Sequence, residues 1–532
     1  MPWMTPNPAS NIVKTIPSPT GGLNAFDNLA NMPPMDAPIM RNWWPQPYGL
    51  SVRKGTRDWM TNLGDSVNTL ASWNAESGVS KLFAWSGPYM FDASSRAPVP
   101  PPMLFGLTNS HWQTVQQSNV GGNHLIAVNG VDDGILYNDT GVHRLVAGDG
   151  IVPHTWFGLD PQDAIEVTVH QGRLWAAQVN SSKGWYLPVG AIQGTFVAFD
   201  FGPLFPHGGY LAQLTTWTID DGNGAEDHLV AVSSRGDAVV YQGTDPSDDL
   251  TWQLVGVYYI GAPVIGRRAL VKMAGDLVAM TDRGLISMSA MLVSTKVKDN
   301  ALLKTEKIQY LLSENAQALA LLEGWSVNYW PNINMLMVNV PSVTTVGPIQ
   351  VCANDLAPGQ PWTTFQGMDA QCWKLYENQV MFGTSDGKVM QAWYGNVDNL
   401  DMTDANGVAI NSAVQQSYNY FDGPALQKQL GLYRLNFTTN NPAGIEYSTK
   451  VEYDFAISPL VASTQFANGE LSVWNSAIWD EGLWTSTTLE GYSTWIHAQG
   501  VGNAVSISIS AQTTSALTWI STDYSLKKGG LL

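Results

Sequence analysis

Apolar residues in this chain come in short alternating runs, broken by Gly, Pro, Asn and Asp. That period predicts strands at hairpin spacing. One unit recurs: an apolar run, a Gly-containing turn, and a second apolar run. Its copies run from Lys81 to Phe91, His124 to Tyr137, Arg173 to Leu187, His228 to Tyr241, Asp276 to Met288, Met335 to Val351 and Gln379 to Met390. Six intervals separate the turn at Gly87 from the turn at Gly387, a mean period of about 50 residues. A period of about 40–50 with four strands per repeat predicts a β-propeller. Seven hairpins predict six or seven four-stranded blades, because the first and last can share one blade. Runs headed by Trp112, Trp252 and Trp362 are expected to close units, large aromatics filling the wide outer gap between blades.

One stretch breaks this pattern. Residues 301–323 place Ile308, Leu311, Leu312, Asn315, Leu319 and Leu322 on one helical stripe, with Gly324 as the C′ residue. The expectation is an inserted helix that caps the propeller or contacts another subunit. After about residue 400 the hairpin unit stops. Residues 398–412 form a polar linker, and alternating runs such as those starting at Tyr433, Tyr447, Trp495 and Val505 predict a C-terminal β-sandwich-like module. The expected domains are therefore an extended N-terminal arm (1–49), an all-β propeller with its helical insertion (50–400) and a β-rich module (401–532).

The arm has its own character. Residues 1–20 are Pro, Ser, Thr and Asn rich and are expected to be extended or flexible. Residues 21–56 pack turn formers around Phe26, Trp43, Trp44 and Tyr48. Asp36, Ala37 and Pro38 predict an N-cap and first turn of one short helix, stopped at Trp44-Pro45. Two adjacent tryptophans do not fit disorder. Phe26, Trp43, Trp44 and Tyr48 are thus candidate subunit-anchor residues, docking on a neighbour or on the protein's own propeller.

The motifs Gly21-Gly22-Leu23-Asn24 with Phe26-Asp27, Met32-Pro33-Pro34 with Asp36-Ala37, Asn42-Trp43-Trp44-Pro45 and Arg53-Lys54-Gly55 resemble the opening of β-propeller proteins of the tail tube or nozzle of short-tailed bacteriophages. These are of the tail tubular protein B and phage stabilisation protein kind. The similarity continues through Trp59, Val67-Asn68-Thr69-Leu70 and Lys81-Leu82-Phe83-Ala84, and returns in Ser521-Thr522-Asp523-Tyr524 and Gly529-Gly530. The resemblance implies a virion structural protein made in the host cytoplasm. It implies a cyclic hexamer joined to the head-to-tail adaptor and portal, contacts with tail fibres or spikes, and genome ejection through its channel, with DNA present only in passage.

Composition fits that expectation. Charged residues make up 13% of the chain, and the formal net charge is −18. Low charge suits surface buried against other subunits, and a negative chain does not grip phosphates. Acidic turns at Asp132-Asp133 and Asp220-Asp221 are candidates for a channel wall. The two cysteines, Cys352 and Cys372, are expected to be buried reduced thiols. The first ten residues lack the basic and apolar regions of a signal peptide, and no apolar run reaches membrane-spanning length.

A search for chemistry predicts no enzyme and no catalytic, cofactor or metal residue. Thr384-Ser385-Asp386-Gly387 lacks sialidase-box spacing. There is no Gly-x-Ser-x-Gly elbow, P-loop, dinucleotide fingerprint or zinc-spaced His pair. The acidic stretch 219–227 could hold calcium but is expected to be a solvated loop. Arg235-Gly236-Asp237 is expected to be a turn. The alternative function is a carbohydrate-binding or glycoside-cleaving propeller, which would gather carboxylates and aromatics on the central axis.

Overall fold

The computed structural model describes residues 12–220, 225–260, 265–293, 305–344, 347–421, 423–439, 444–454, 461–464, 490–498 and 500–531. The protein is all-β. It forms two compact units, each discontinuous in sequence: 58–349 with 368–392, and the chain up to Arg57 with 350–367 and 393–532. The expected boundaries at 49/50 and 400/401 therefore shift, because strands pair with partners far away in sequence.

In the first of these units each hairpin unit lies within an antiparallel sheet whose first strand precedes it in sequence. Its innermost strands are β1 (Val67–Asn74), β2 (Gln113–Asn119), β3 (Ala164–His170), β4 (Leu211–Asp220), β5 (Leu270–Met273), β6 (Ser326–Trp330) and β7 (Ala370–Tyr376). Apolar cores lie between consecutive sheets. Trp73, Phe83, Trp85, Trp112 and Tyr137 fill one gap; Leu136, Trp156, Leu174 and Phe196 the next; Trp175, Phe201, Phe205 and Trp252 the third. Trp217, Val230, Leu277 and Ile286 follow. Trp330 packs its ring 5.5 Å from that of Trp373, and a core of Leu70, Leu82, Cys372 and Met381 joins the last sheet to the first. The ring is closed. A blade with two apolar faces must bury both, and circular closure does so.

Within this unit, and among the described residues, five of the sheets reach four strands or more: those starting at β1, β2, β3, β4 and β7, the last completed by the strand Thr56–Met60. The expected six or seven four-stranded blades are thus corrected to five. Among the described residues the sheet of β5 has three strands, after which the chain turns helical at Met288–Val293. The β6 sheet contributes the hairpin Ser326–Trp330 and Met335–Val340 within this unit. The Trp-headed runs also differ from expectation. Trp112 precedes an innermost strand, Trp252 heads an outermost one, and Trp362 belongs to the other unit. Indole volume fills gaps between sheets from either side.

The inserted helix is shorter than expected. A 3-10 turn (Glu306–Ile308) leads into an α-helix (Gln309–Leu319), which buries Ile308, Leu312 and Ala316. The Leu319 carbonyl accepts the Trp325 indole N–H at 2.9 Å, ending the helix before residue 323. Residues 301–304 lie outside the described residues.

The second unit holds two antiparallel-rich sheets. In one, Leu426–Thr439 and Leu517–Leu531 pair along most of their length and are flanked by Glu490–His497 and the arm strands Ile12–Pro17, Gly49–Val52 and Trp43–Gln46. The other contains Trp362–Phe365, Ile39–Arg41, Val408–Gln415, Val505–Thr513 and Gly444–Val451 in neighbouring order. Tyr433 of one sheet meets Tyr447 of the other edge-on at 5.1 Å. The short helix expected after Asp36 does not form. Asp36–Ala37, Ile39–Arg41 and Trp43–Gln46 are strands, and the Asp36 carboxylate accepts from Asn24 Nδ2 at 2.8 Å. The expected linker 398–412 is partly structured, with Val408 starting a strand.

Candidate functional site

Two constellations stand out, one in each unit. In the unit containing the arm, the quoted motifs form one stitched core. Asn24 Oδ1 accepts the backbone N–H groups of Phe26 and Asp27, while its amide bridges Asp27 and Asp36. A Cβ on Gly21 would lie 2.7 Å from the backbone Met35 O, as well as against Asp36 Oδ1, which disfavours any other residue there. Asn42 accepts from Arg53 Nε at 3.0 Å and from Gln366 N at 2.9 Å. Trp43 is fully buried, and its carbonyl accepts from Thr363 Oγ1 at 2.7 Å. Trp44 packs its ring 5.4 Å from Trp393 and 5.9 Å from Phe365.

Arg53 is also buried. Its guanidinium grips Asp398 through Nη1–Oδ1 at 2.7 Å and Nη2–Oδ2 at 2.6 Å, and donates to the carbonyls of Lys54 and Gln366. The fork geometry of arginine matches a carboxylate, and every donor is used. Gly55 has a steric role, since a Cβ there would sit 1.7 Å from Val397 O. Of the four candidate anchors, Trp43 and Trp44 are therefore buried in their own chain. Phe26 and Tyr48 are 38% and 66% exposed, Tyr48 at the tip of the hairpin between Trp43–Gln46 and Gly49–Val52.

In the other unit the seven innermost strands surround a cavity of about 370 Å³. Its lining includes Trp112, Gln113, Glu166, Gln213, Arg267, Arg268, Asn328, Trp330, Trp373 and Lys374. Arg268 donates to the carbonyls of Asn68 and Trp112 and to Thr69 Oγ1, all neutral acceptors. Gln113 and Gln213 hold the backbone of the Arg267 segment through their amide N–H groups. Oε1 of Gln213 and Oε2 of Glu166 are enclosed with no hydrogen-bond partner among the described residues. Burial pushes the Glu166 carboxyl up to about 8, against the opposing pull of Arg267 and Arg268. Burial and the Arg268 charge both lower the Lys374 ammonium. No distant-residue spacing flags this set. The residues Gln113, Glu166, Gln213 and Lys374 sit in inner strands that mix polar and apolar positions (QTVQQSN, AIEVTVH, LAQLTTWTID, AQCWKLY), so no local pattern singles them out.

Other expectations resolve individually. Asp132 is buried and accepts from Thr108 and Asn129, so it organises its turn and does not face a channel; Asp133 accepts from Gln162 Nε2 at 2.9 Å. Residues 221–224 of the acidic stretch, with Asp221, and the Asp220 side chain lie outside the described residues. Arg235-Gly236-Asp237 is a turn with Gly236 at φ 91°, and the buried Asp237 carboxylate accepts from His207. Cys352 and Cys372 are free and buried, and burial pushes the Cys372 thiol up to about 11. Among the described residues no cluster of three or more His, Cys, Asp or Glu could hold a metal, and no helix is long and apolar enough to cross a membrane.

A closed ring of radial antiparallel sheets around an axial cavity defines a β-propeller. No family model matches the chain, and no curated protein does. Among solved structures it is similar to Raptor of Chaetomium thermophilum (7% identity, 64% of this chain and 28% of that one, TM-score 0.38). It is also similar to YCF48 bound to D1 peptide (12% identity, 68% and 98%, TM-score 0.33). A third is the Cps50 (Swd1) β-propeller domain of Myceliophteria thermophila (12% identity, 62% and 98%, TM-score 0.35). The chain thus spans about a quarter of Raptor and nearly the whole of the other two.

Proposed function

We propose that this protein is a virion structural subunit, part of the nozzle or tube of a short bacteriophage tail. Copies assemble in a ring around the DNA exit channel, joining the head-to-tail adaptor to distal fibres or spikes. The observation that carries the subunit reading is the outer edge of the fourth blade. Strand Trp252–Tyr259 has no neighbour on its outer side among the described residues. It exposes Leu254 (44%), Val255 (41%), Val257 (37%) and Tyr259 (39%), with Leu250 (85%) just before it. Monomeric proteins blunt such edges with charge or cover, and apolar patches of this kind mark interfaces. A neighbouring copy supplies both backbone partners and apolar cover. The tail assignment is supported by the arm motifs, whose residues form the stitched core around Arg53 and Asp398.

The carbohydrate-active alternative requires a carboxylate pair across a cleft. Among the described lining residues the axis carries a single carboxylate, Glu166, beside three cations, which favours the structural reading. Mass photometry of the purified protein with a glycan screen tests the choice, followed by electron-microscopy reconstruction of the parent particle. Rings, or self-association without sugar binding, are expected. A chain that stays monomeric at micromolar concentration and binds or cleaves glycans overturns the proposal.

A further inference from the structure

The axial cavity holds more positive charge than its own residues neutralise. Arg267, Arg268 and Lys374 line it with one carboxylate, Glu166. Arg268 is fixed by three neutral acceptors, which orient its guanidinium without cancelling its charge. Arg267 donates to the Asn129 carbonyl at 3.2 Å. Lys374 makes no hydrogen bond or ion pair among the described residues. Lys374 and Arg268 are half-buried, and cations gathered around one cavity repel one another until something of opposite charge pairs with them. Glu166 Oε2 and Gln213 Oε1 are enclosed and have no partner among the described residues; an amide oxygen accepts only, so Gln213 Oε1 calls for a donor, such as a hydroxyl carried by the ligand. At about 370 Å³ the cavity lies at the small end of ligand-site sizes, about 300–1,000 Å³. It excludes a nucleic-acid duplex and admits a small molecule.

We propose that the propeller axis is a binding site for a small oxyanion, a phosphate or a compact carboxylate. Lys374 and the Arg267–Arg268 pair supply the charge, and the Glu166 and Gln213 side chains complete the polar lining. The anion sits where all the inner strands converge. Binding therefore ties the blades together at the axis, including the incomplete sheet of β5. Neutralising the cations also removes the repulsion between Lys374 and Arg268. The site stiffens the ring by ligand linkage, as any molecule bound only by the folded state does.

The test uses the full chain in a chloride buffer at constant ionic strength. Melting is followed by fluorescence and binding by calorimetry, with inorganic phosphate in one arm and citrate in the other. A saturable rise in melting temperature is expected in at least one arm, and the responding arm identifies the source. Lys374→Met is expected to weaken binding at least about tenfold, the loss of one charge-assisted contact. Without anion that variant melts no lower than the parent, because Lys374 has no partner to lose. Lys374→Arg retains binding and controls for a folding defect. No saturable response to either anion, or an equal response in the parent and Lys374→Met, overturns the proposal.

Discussion

Glu166 offers a direct test of the axial electrostatics. Its carboxyl moves from 4.5 to about 8 on folding, chiefly through burial. The folded chain thus binds this proton more tightly than the unfolded chain. The group favours the folded state fully below pH 4.5, and this contribution is lost progressively as pH rises from 4.5 to about 8. Retaining the proton at pH 7, where an unfolded glutamate has lost it, costs about 3 kcal/mol at about 1.4 kcal/mol per pH unit. Part of the side chain faces the cavity, so about 2 kcal/mol is the working figure after solvent screening. Glu166→Gln keeps the shape of the neutral acid and removes the titration. The variant should match the parent near pH 4.5 and be more stable by about 2 kcal/mol at pH 7. Urea unfolding across this range, in phosphate-free buffer and followed by tryptophan fluorescence, measures the difference. All other groups titrate in both proteins, so the difference between the curves isolates Glu166. If Arg267, Arg268 and Lys374 hold the carboxylate ionised, the glutamine variant is instead the less stable one at neutral pH. That result, or two parallel curves, refutes the reasoning.

Three further outcomes are expected. Arg53→Met or Asp398→Asn leaves a buried charge uncompensated and should lower the stability of its unit by about 3–5 kcal/mol in denaturant titration, with Arg53→Met/Asp398→Leu recovering much of the loss. Trp43→Ala should cost about 3–5 kcal/mol in the same assay, since the fully buried indole leaves a large cavity. Leu254→Lys with Val257→Lys should abolish self-association in mass photometry while leaving the circular dichroism spectrum unchanged, and full-sized assemblies from this variant would remove the fourth blade from the interface.

The hairpins were legible because their determinants are local. Alternating apolar residues and a turn glycine act within about a dozen residues, so the run from His228 to Tyr241 declares two strands wherever it sits. The buried cysteines and the turn at Arg235-Gly236-Asp237 were legible for the same reason. Whether a sheet reaches four strands was not, because an edge strand is recruited from elsewhere: Thr56–Met60 completes the sheet of Ala370–Tyr376. Asp36 illustrates the same limit. Locally it reads as a helix cap, but Asn24 takes its carboxylate and the backbone goes into strands. The partner of Arg53 lies 345 positions away. The axial set is carried by separate inner strands and the segment before Leu270, whose mixed polar and apolar residues give no local sign that they converge. The local pattern determined the strands and turns of this protein. Long-range strand pairing and ring closure decided which charges face one another, because only those steps bring distant residues close enough for burial and Coulomb interaction to act.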